Sequence, residues 1–356
     1  MISRHCEERS DEAIQRAMQA ERPSGLLRCA RNDVGARTQH LLLALLLLLL
    51  PAPANAETWP THAVRVVVPF PPGSTPDVVT RLLTPGLAEA FHQPFVVDDR
   101  SGAGGNIGSD VVAKAPPDGY TLLLGSNGPI AVNKALYANL PYDPERDLAP
   151  ITLLVRAPQI LAINPDVPAR DFASFIAYAK AHPGTLSYGS VGSGSASHLT
   201  MEELKFHAGV DIVHVPYRGF PPAVTDLMAG QIQATFAIAA AVLPHIQAGK
   251  LRGLAITTAR RSTVAPDLPS VAELGFPELE SYAWQGLHAT AGTPPAVIAA
   301  LNAEIVRLLH QPAIHDALVH QGYEVIGDTP EAYAAFIKAE TARWTAVVKR
   351  TGARVE

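Results

Sequence analysis

The sequence predicts an α/β protein in which mostly parallel strands alternate with helices. Short apolar, β-branched runs recur along the chain, and each is followed by a loop of Gly, Ser and Pro. Each loop leads into an amphipathic stretch, which is the alternation typical of α/β architecture. Because the pattern restarts midway along the chain, the sequence also predicts two similar lobes that face a cleft.

Length and composition fit a globular protein with a sizeable core. The chain has 356 residues, of which 47% are hydrophobic and 17% are charged. Both cysteines, Cys6 and Cys29, precede the mature start predicted below, so the mature chain cannot use a thiol or a Cys-based zinc site. Removal of residues 1–56 leaves 21 basic and 27 acidic residues. This acidic balance argues against a nucleic-acid or acidic-membrane partner.

An apolar block near the N-terminus indicates export. Leu41 to Leu50 are too few to span a bilayer, Arg37 supplies a basic flank, and Ala54-Asn55-Ala56 forms a small-x-small cleavage site. We therefore predict a signal peptide over 37–56, cleaved near Ala56, and a periplasmic mature protein.

The residues ahead of this signal have two interpretations. Residues 1–36 carry mixed charge without an apolar period. A start codon assigned too early, with the true start near Val34, would leave an ordinary signal peptide. A genuine disordered extension is the alternative.

The mature chain is predicted to run through one lobe, into the second and back. The predicted ranges are 57–155 for the first part of lobe 1, 156–255 for lobe 2, and 256–356 for the return to lobe 1 with the closing helices. The long strand-like segment "LAPITLLVRAPQILAINP" is predicted to be the crossover.

The individual elements follow from local patterns. In the first half, the predicted strands are "AVRVVVPF", "FVVDDR" and "YTLLLGS". In the second half, they are "LSYGS", "DIVHVPY", "QIQATFAIA" and "LRGLAIT". A Pro-rich wrap follows, and two closing helices are predicted at roughly 294–311 and 329–349.

The first loop, "PPGSTPD", is built to begin a helix. Ser74 or Thr75 is predicted to cap it, Pro76 fits the first helical position, and Asp77 favours the positive end. Free N–H groups at such an end attract a carboxylate or phosphate without a charged side chain. One helix dipole contributes only about 0.3–1 kcal/mol, so several loops must act together. The alternative is that these residues only make a good strand-to-helix turn.

The second loop has a G-x-G-x-x-x-G spacing over Gly102–Gly108. This spacing resembles a dinucleotide-binding turn, but the next strand ends in Gly125, Ser126 and Asn127 and not in an acidic residue. Close backbone approach to a smaller ligand explains the glycines equally well. Asn106, Ser126 and Asn127 would then donate hydrogen bonds to it.

The second half offers two more candidate loops. The segment "YGSVGSGSASH" places Ser190, Ser193, Ser195 and Ser197 ahead of a helix that begins near His198. Tyr217, Arg218 and Gly219 follow a buried-looking strand, and Arg218 is the candidate for a charge-assisted contact with a second carboxylate. Serines that only cap and a solvated arginine are the alternatives.

Sequence signals for catalysis are weak. The chain contains neither a G-x-S-x-G nucleophile elbow nor a G-x-x-x-x-G-K-[ST] phosphate loop. The spacing of His198, His207 and His214 does not support a metal site, and the adjacent Asp98 and Asp99 must point to opposite faces of a strand. We therefore predict no catalytic residue, metal or cofactor, with an exported hydrolase or dinucleotide-dependent enzyme as the weaker alternative.

Several motifs together resemble a known family. "VVVPFPPGSTPDVVTRLL", "VVDDRSGAGGNIGSDVVAKAPPDGYTLLLGS", "LSYGSVGSGSASHL", "VDIVHVPYRG" and "LPHIQAGKLRGLAITTARRS" resemble the Bug family. These are periplasmic substrate-binding proteins of tripartite tricarboxylate transporters. The resemblance covers essentially the whole mature chain in order.

The resemblance implies a two-lobed periplasmic binding fold, type II-like, with two mixed sheets flanked by helices and a ligand cleft between the lobes. It implies a monomer that closes on a small carboxylate, partly through bridging waters, and offers it to membrane subunits of a transporter. Carried over by position, the first-lobe contacts fall on Ser74, Thr75, Asp77, Gly104, Gly105, Asn106 and Ile107. The second-lobe contacts fall on Ser190, Ser193, Ser195, His198, Tyr217, Arg218 and Gly219, and Ala237 also lies at a family contact position.

Two departures from the family pattern bear on the ligand. Ser74 replaces the usual second glycine of the first loop, and Ala237 and Ile238 replace an Asp-Asn pair. If that aspartate binds an amino group in relatives, an amino-acid ligand is disfavoured here. We expect an unsubstituted mono-, di- or aromatic carboxylate. A role as the ligand-loaded partner of a sensor kinase stays open beside transport.

Overall fold

The computed structural model describes residues 59–353. The predicted N-terminal extension over 1–36 and signal peptide over 37–56, with its cleavage near Ala56, lie outside the described residues. Among the helices of 59–353, none combines the length and the apolar character that a membrane crossing requires.

Ten strands form the framework, and every strand predicted from the sequence is present. The first lobe contributes β1 Val64–Val68, β2 Phe95–Asp99 and β3 Thr121–Ser126. The chain then runs through β4 Leu148–Ile163, β5 Leu186–Ser190, β6 Ile212–Pro216, β7 Ala234–Ile238 and β8 Arg252–Ile256. It ends with β9 Tyr282–Thr290 and the two-residue β10 Glu324–Val325.

Helices follow most strands, as the alternating pattern predicts. They are α1 Thr75–Phe91, α2 Asn106–Ala113, α3 Asn133–Leu136, α4 Pro144–Asp147, α5 Phe172–Ala181 and α6 Ala196–Ala208. The remaining ones are α7 Phe220–Met228, α8 Ala239–Gln247, α9 Pro295–Leu309, α10 Pro312–His320 and α11 Pro330–Thr351. Short 3₁₀ turns lie at Ala103–Gly105 and Pro277–Leu279, and a π-helical turn at Gly128–Val132. Three of these elements were not predicted from the sequence: helix α5, helix α10, which begins directly after α9 at Pro312, and strand β9.

The strands are ordered β2-β1-β3-β9-β4-β7-β5-β6, with β8 and β10 both pairing with β4. Pairing is parallel within β2-β1-β3 and within β6-β5-β7, and antiparallel wherever β4 or β9 takes part. Each lobe is therefore a parallel core completed by antiparallel strands. This confirms the α/β fold class with two mixed sheets.

The long strand β4 joins the two lobes. Residues 148–158 pair with β9 in the first sheet, and residues 159–163 pair with β7 in the second. Two register shifts within the β4–β9 ladder accommodate Pro150 and the residues after it. Side chains at the middle of β4 therefore lie where the two sheets meet.

Separate hydrophobic clusters support the two lobes. One packs α1, α9 and α10 on the first sheet, with Leu83, Ile305 and Leu318 at its centre. Another packs α5 and α6 on the second sheet around Phe175. Val271 and Leu279 of the Pro-rich wrap belong to this second cluster. The predicted return to lobe 1 at residue 256 stays a prediction, and this packing favours a later return along β9.

Two glycines allow loops of the two lobes to approach closely. Gly194 of lobe 2 has φ +82°, and a Cβ there would lie 2.6 Å from Asn133 Oδ1 and 3.0 Å from Leu136 Cδ2 in lobe 1. Gly104 of lobe 1 has φ +62°, and a Cβ there would lie 3.3 Å from the carbonyl oxygen of Ser193. Contact between the lobes at this point therefore requires the absence of side chains.

We predict that Gly194→Ala keeps the lobes apart, because the added methyl group would collide with Asn133 and Leu136. Small-angle scattering should give a larger radius of gyration than for the native protein. Gly209→Ala is the matched control, since Gly209 also has a positive φ but has open space at its Cβ position. Because the backbone at Gly209 is left-handed, we expect Gly209→Ala to lower the free energy of unfolding by about 1 kcal/mol and to leave the radius of gyration unchanged. Equal radii for the two variants would contradict the prediction.

Candidate ligand-binding site

A cavity of about 360 Å³ is bounded by both lobes. Nine residues that the sequence analysis selected line it, and they come from loops at the carboxyl ends of strands in both halves. They are Ser74, Thr75, Gly104, Ser126, Asn127, Ser193, Ser195, Arg218 and Gly219. Loops far apart in the sequence therefore meet at one place, as expected for ligand sites in open α/β sheets.

The first wall is the N-terminus of α1. Ser74 occupies the N-cap position, but its side chain makes no capping hydrogen bond, which corrects the prediction that Ser74 or Thr75 caps the helix. Its Oγ is buried and unpaired. Within the described part of the chain, the N–H groups of Thr75 and Asp77 also have no acceptor. This helix end therefore presents free donors.

Asp77 holds this wall in shape from behind. One carboxylate oxygen accepts a hydrogen bond from the N–H of Gly73 at 2.7 Å, and the other pairs with Arg81 Nε at 2.6 Å. Asp77 is buried and is not part of the cavity lining. Its carboxylate therefore holds the loop in place, while a ligand contact of Asp77, which its free backbone N–H could make, stays a prediction.

The second wall is the N-terminus of α6 in lobe 2. Ser195 caps this helix, because its Oγ accepts the N–H of His198 at 3.3 Å and donates to the carbonyl of Gly192 at 2.6 Å. Over residues 59–353, Ser193 Oγ has no hydrogen-bond partner, and the N–H groups of Ala196 and Ser197 have none either. Two helix N-termini from opposite lobes thus supply unpaired donors to one cavity.

Eight predicted contact residues lie outside the cavity lining: Asp77, Gly105, Asn106, Ile107, Ser190, His198, Tyr217 and Ala237. Asn106 Oδ1 accepts from Asn133 and Tyr142, Tyr217 donates to Asp226, and Ile107 is about half exposed. Gly105 packs near Pro129 and Phe70, and Ala237 is in a buried cluster. As ligand contacts, these eight residues stay predictions.

Asn127 lines the cavity, but its side chain is already engaged. Its Nδ2 donates to the carbonyl of Tyr282 at 3.0 Å, and its Oδ1 accepts the N–H of Trp284 at 3.0 Å. The amide thereby continues the β3–β9 ladder beyond its last strand pair. Asn127 fixes Trp284, another lining residue, and the second N–H of its Nδ2 has no partner within the described residues, so donation to a ligand stays a prediction.

Sequence analysis missed several lining residues, among them Phe70, Gln159, Ala240, Trp284, Gln285 and Tyr323. Two of them, both glutamines, could have been recognised from the sequence pattern. Gln159 interrupts the apolar run "RAPQILAI" and Gln285 interrupts "YAWQGLHAT". Polar residues inside buried strands indicate a structural bond or a ligand.

Positive electrostatic features predominate in the lining. Among residues 59–353, Arg218 is the one charged side chain of the lining; it is exposed and makes no ion pair there. The described part of the chain contributes no Asp or Glu to the lining. Free N–H groups, hydroxyls and one guanidinium suit an anion of small size.

A stacked histidine pair lies behind the second wall. The rings of His198 and His214 are 4.2 Å apart, His198 Nδ1 accepts the N–H of Gly194 at 3.1 Å, and His214 Nε2 lies 2.7 Å from Ser190 Oγ. Burial lowers the pKa of His198 to about 3 and that of His214 to about 4. Both rings are therefore neutral in the folded protein near neutral pH.

Together the fold and the cavity define a two-lobed solute-binding protein, with two sheets joined by β4 and a cavity that is suited to an anion. The chain belongs to the tripartite tricarboxylate transporter family receptors, which its residues 79–353 match. This confirms the resemblance found in the sequence.

Individual relatives agree with this membership. The chain is 40% identical to protein BugT of Bordetella pertussis, over 86% of this chain and 94% of that protein. A solved structure of R. palustris Rpa4515 with adipate is 38% identical, with a TM-score of 0.77 over 83% of this chain and 98% of that one. MatC from Rhodopseudomonas palustris with bound malate is 34% identical, with a TM-score of 0.76 over 82% of this chain and 100% of that one.

We predict that the histidine pair makes stability fall in mild acid. In the unfolded chain a histidine titrates near pH 6.5, so unfolding takes up protons below that pH. The stabilisation by neutral rings is complete above about pH 6.5 and is lost as the pH falls toward the folded-state values of 3 and 4. Each histidine changes the free energy of unfolding by at most about 1.4 kcal/mol per pH unit.

Urea unfolding between pH 7.5 and pH 5 checks this. The double variant His198→Asn/His214→Gln keeps hydrogen-bonding atoms in similar positions but cannot be protonated, so its unfolding free energy should depend less on pH. His315→Gln, at an exposed position, is the control and should keep the native slope. Identical slopes for all three proteins would show that the pair does not carry the effect.

Proposed function

We propose that this protein captures a small carboxylate in the periplasm and delivers it to the membrane subunits of a tripartite tricarboxylate-type transporter. The observation that carries the proposal is the convergence of unpaired N–H groups and hydroxyls from both lobes on one cavity without an acidic side chain. Export by the predicted signal peptide, a monomeric state and the absence of nucleic-acid partners are parts of the same proposal.

The chemistry of the lining favours a carboxylate over a neutral ligand. A carboxylate has two oxygens that accept several hydrogen bonds, and hydrogen bonds to an ion are roughly twice as strong as neutral ones. Thr75, Asp77, Ala196 and Ser197 supply backbone N–H groups, and Ser74 supplies a hydroxyl. Cavity burial reduces competition from water, which strengthens these bonds.

Ligand capture is proposed to close the two lobes over the carboxylate. The donors belong to both lobes, so a bound anion satisfies groups on the two sides at once. The lobes are connected by extended strands, β4 and β9, whose ends can absorb a hinge rotation. The relatives with adipate and malate support a small carboxylate as the ligand class.

The proposal assigns binding without turnover, and no cofactor or metal. Among residues 59–353, no group of three or more His, Cys, Asp or Glu side chains is placed to hold a metal ion. Gly108 of the G-x-G-x-x-x-G spacing has a packing role, because a Cβ there would lie 2.9 Å from Pro69 and from the carbonyl oxygen of Arg100. That glycine needs no dinucleotide to explain it.

Thermal unfolding with a panel of mono-, di- and tricarboxylates tests the proposal. A ligand at 100 times its Kd stabilises the folded state by about 2.7 kcal/mol, which raises the melting temperature measurably. The matched primary amide of each active acid is the control and should have little effect, because it lacks the negative charge. Melting temperatures that do not respond to any acid, or that respond equally to the amides, would contradict the proposal.

A further inference from the structure

Two buried glutamines lie where the sheets of the two lobes meet, and both line the cavity. Gln159 on β4 is 0% exposed and Gln285 on β9 is 6% exposed. The Oε1 atom of each is buried without a hydrogen-bond partner. Unpaired buried acceptors destabilise a folded protein, so two in one binding cavity need an explanation.

We propose that the ligand carries, at the end away from its carboxylate, a neutral hydrogen-bond donor that donates to Oε1 of Gln285, with Oε1 of Gln159 open to a second donor. A hydroxyl is the simplest such group. The inference rests on the proposed function, because it takes for granted that the carboxylate end is held by the helix N-termini. It narrows the ligand class to hydroxylated monocarboxylates.

The orientation of the Gln159 amide follows from its neighbours. Its Nε2 lies 3.2 Å from both Thr200 Oγ1 and Ser281 Oγ, and these two hydroxyl oxygens are 2.7 Å apart. An amide nitrogen can donate one proton to each oxygen, while one hydroxyl donates to the other. If the oxygen and nitrogen of the amide were exchanged, Oε1 would need the protons of both hydroxyls. No proton would then be left for the 2.7 Å contact between Thr200 Oγ1 and Ser281 Oγ. The atom of the Gln159 side chain that remains available to a ligand is therefore Oε1, a hydrogen-bond acceptor.

Gln285 lies on the first sheet, and its side chain makes a single hydrogen bond within the described part of the chain. Its Nε2 lies 3.4 Å from the hydroxyl of Tyr323, another buried lining residue. Its backbone pairs with Ser126 on β3, so it lies beside the end of a strand that also reaches the cavity. With its nitrogen directed to Tyr323, its oxygen is the second free acceptor.

A second carboxylate fits this end of the cavity poorly. Two carbonyl oxygens would repel it, and a desolvated charge without a partner is unfavourable. Ile238, Ala240 and Ala241 add apolar surface close to Gln159, since Ile238 is its partner in the β4–β7 ladder. Ala237 and Ile238 end β7, so this chain has no acidic group there for an amino-bearing ligand either.

Arg218 is the one side chain that could oppose this inference. It is the only charged residue of the lining, and the sequence analysis assigned it to a second carboxylate. Arg218 is exposed and lies on the loop before α7, whereas both glutamines are buried on the crossover strands. The two glutamines therefore favour a ligand with a neutral donor at this end, whereas the guanidinium favours a ligand with a second carboxylate.

Calorimetric binding of hexanoate, 6-hydroxyhexanoate and adipate, together with benzoate, 4-hydroxybenzoate and terephthalate, tests the inference. Within at least one series, we expect the hydroxy acid to bind about tenfold or more tighter than the unsubstituted acid and than the diacid, as one or two buried hydrogen bonds predict. Gln285→Met should reduce the hydroxyl preference, taken as the ratio of the two affinities in the same variant, to less than about threefold.

Gln321→Met is the matched control, because Gln321 also lines the cavity but is only partly buried and makes no side-chain hydrogen bond within the described residues. It should keep the native preference. Two results would overturn the inference and leave the proposed function intact. In the first, the diacid binds more tightly than the hydroxy acid, and Arg218→Met removes this difference. In the second, Gln285→Met keeps the preference for the hydroxy acid. If none of the six acids and no other carboxylate bound, the proposed function itself would fail.

Discussion

Backbone N–H groups without a protein acceptor are the feature on which this site depends. They occur at the N-termini of α1 and α6, where a helix cannot satisfy its own first donors. Ser74 occupies a capping position but leaves its helix uncapped, and Asp77 turns back to Gly73 and Arg81. The backbone N–H groups at this helix end therefore stay free to bind a ligand. An anion can be held in this way by peptide dipoles, with a single exposed arginine nearby.

The course of the chain explains why donors from distant loops meet. Strand β4 belongs to both sheets, and β9 brings the chain back beside it, so each lobe presents the carboxyl ends of its strands to the same space. Close approach then needs small residues, and Gly104 and Gly194 provide it. The glycine-rich loops serve two purposes in this chain, since they leave room for the opposite lobe as well as for a ligand.

Local patterns predicted much of the fold but only part of the site. Alternation of apolar strands, small-residue loops and helices located most strands, because these signals are local in the sequence, but it did not locate β9. Contacts such as Tyr217 with Asp226 and Asn127 with Trp284 depend on tertiary structure, so the side chains that serve the scaffold could not be separated from those that face the cavity. Gln159 and Gln285 were missed because neither lies on a loop, where ligand residues were sought.

Heteronuclear NMR of the mature domain, titrated with a carboxylate that raises its melting temperature, tests the central claim most directly. The account predicts that the amide resonances of Thr75, Asp77, Ala196 and Ser197 shift together and saturate with one binding constant, because these N–H groups would donate to the anion. Saturable shifts confined to other amides, with these four unchanged, would show that the acid binds elsewhere and would contradict it.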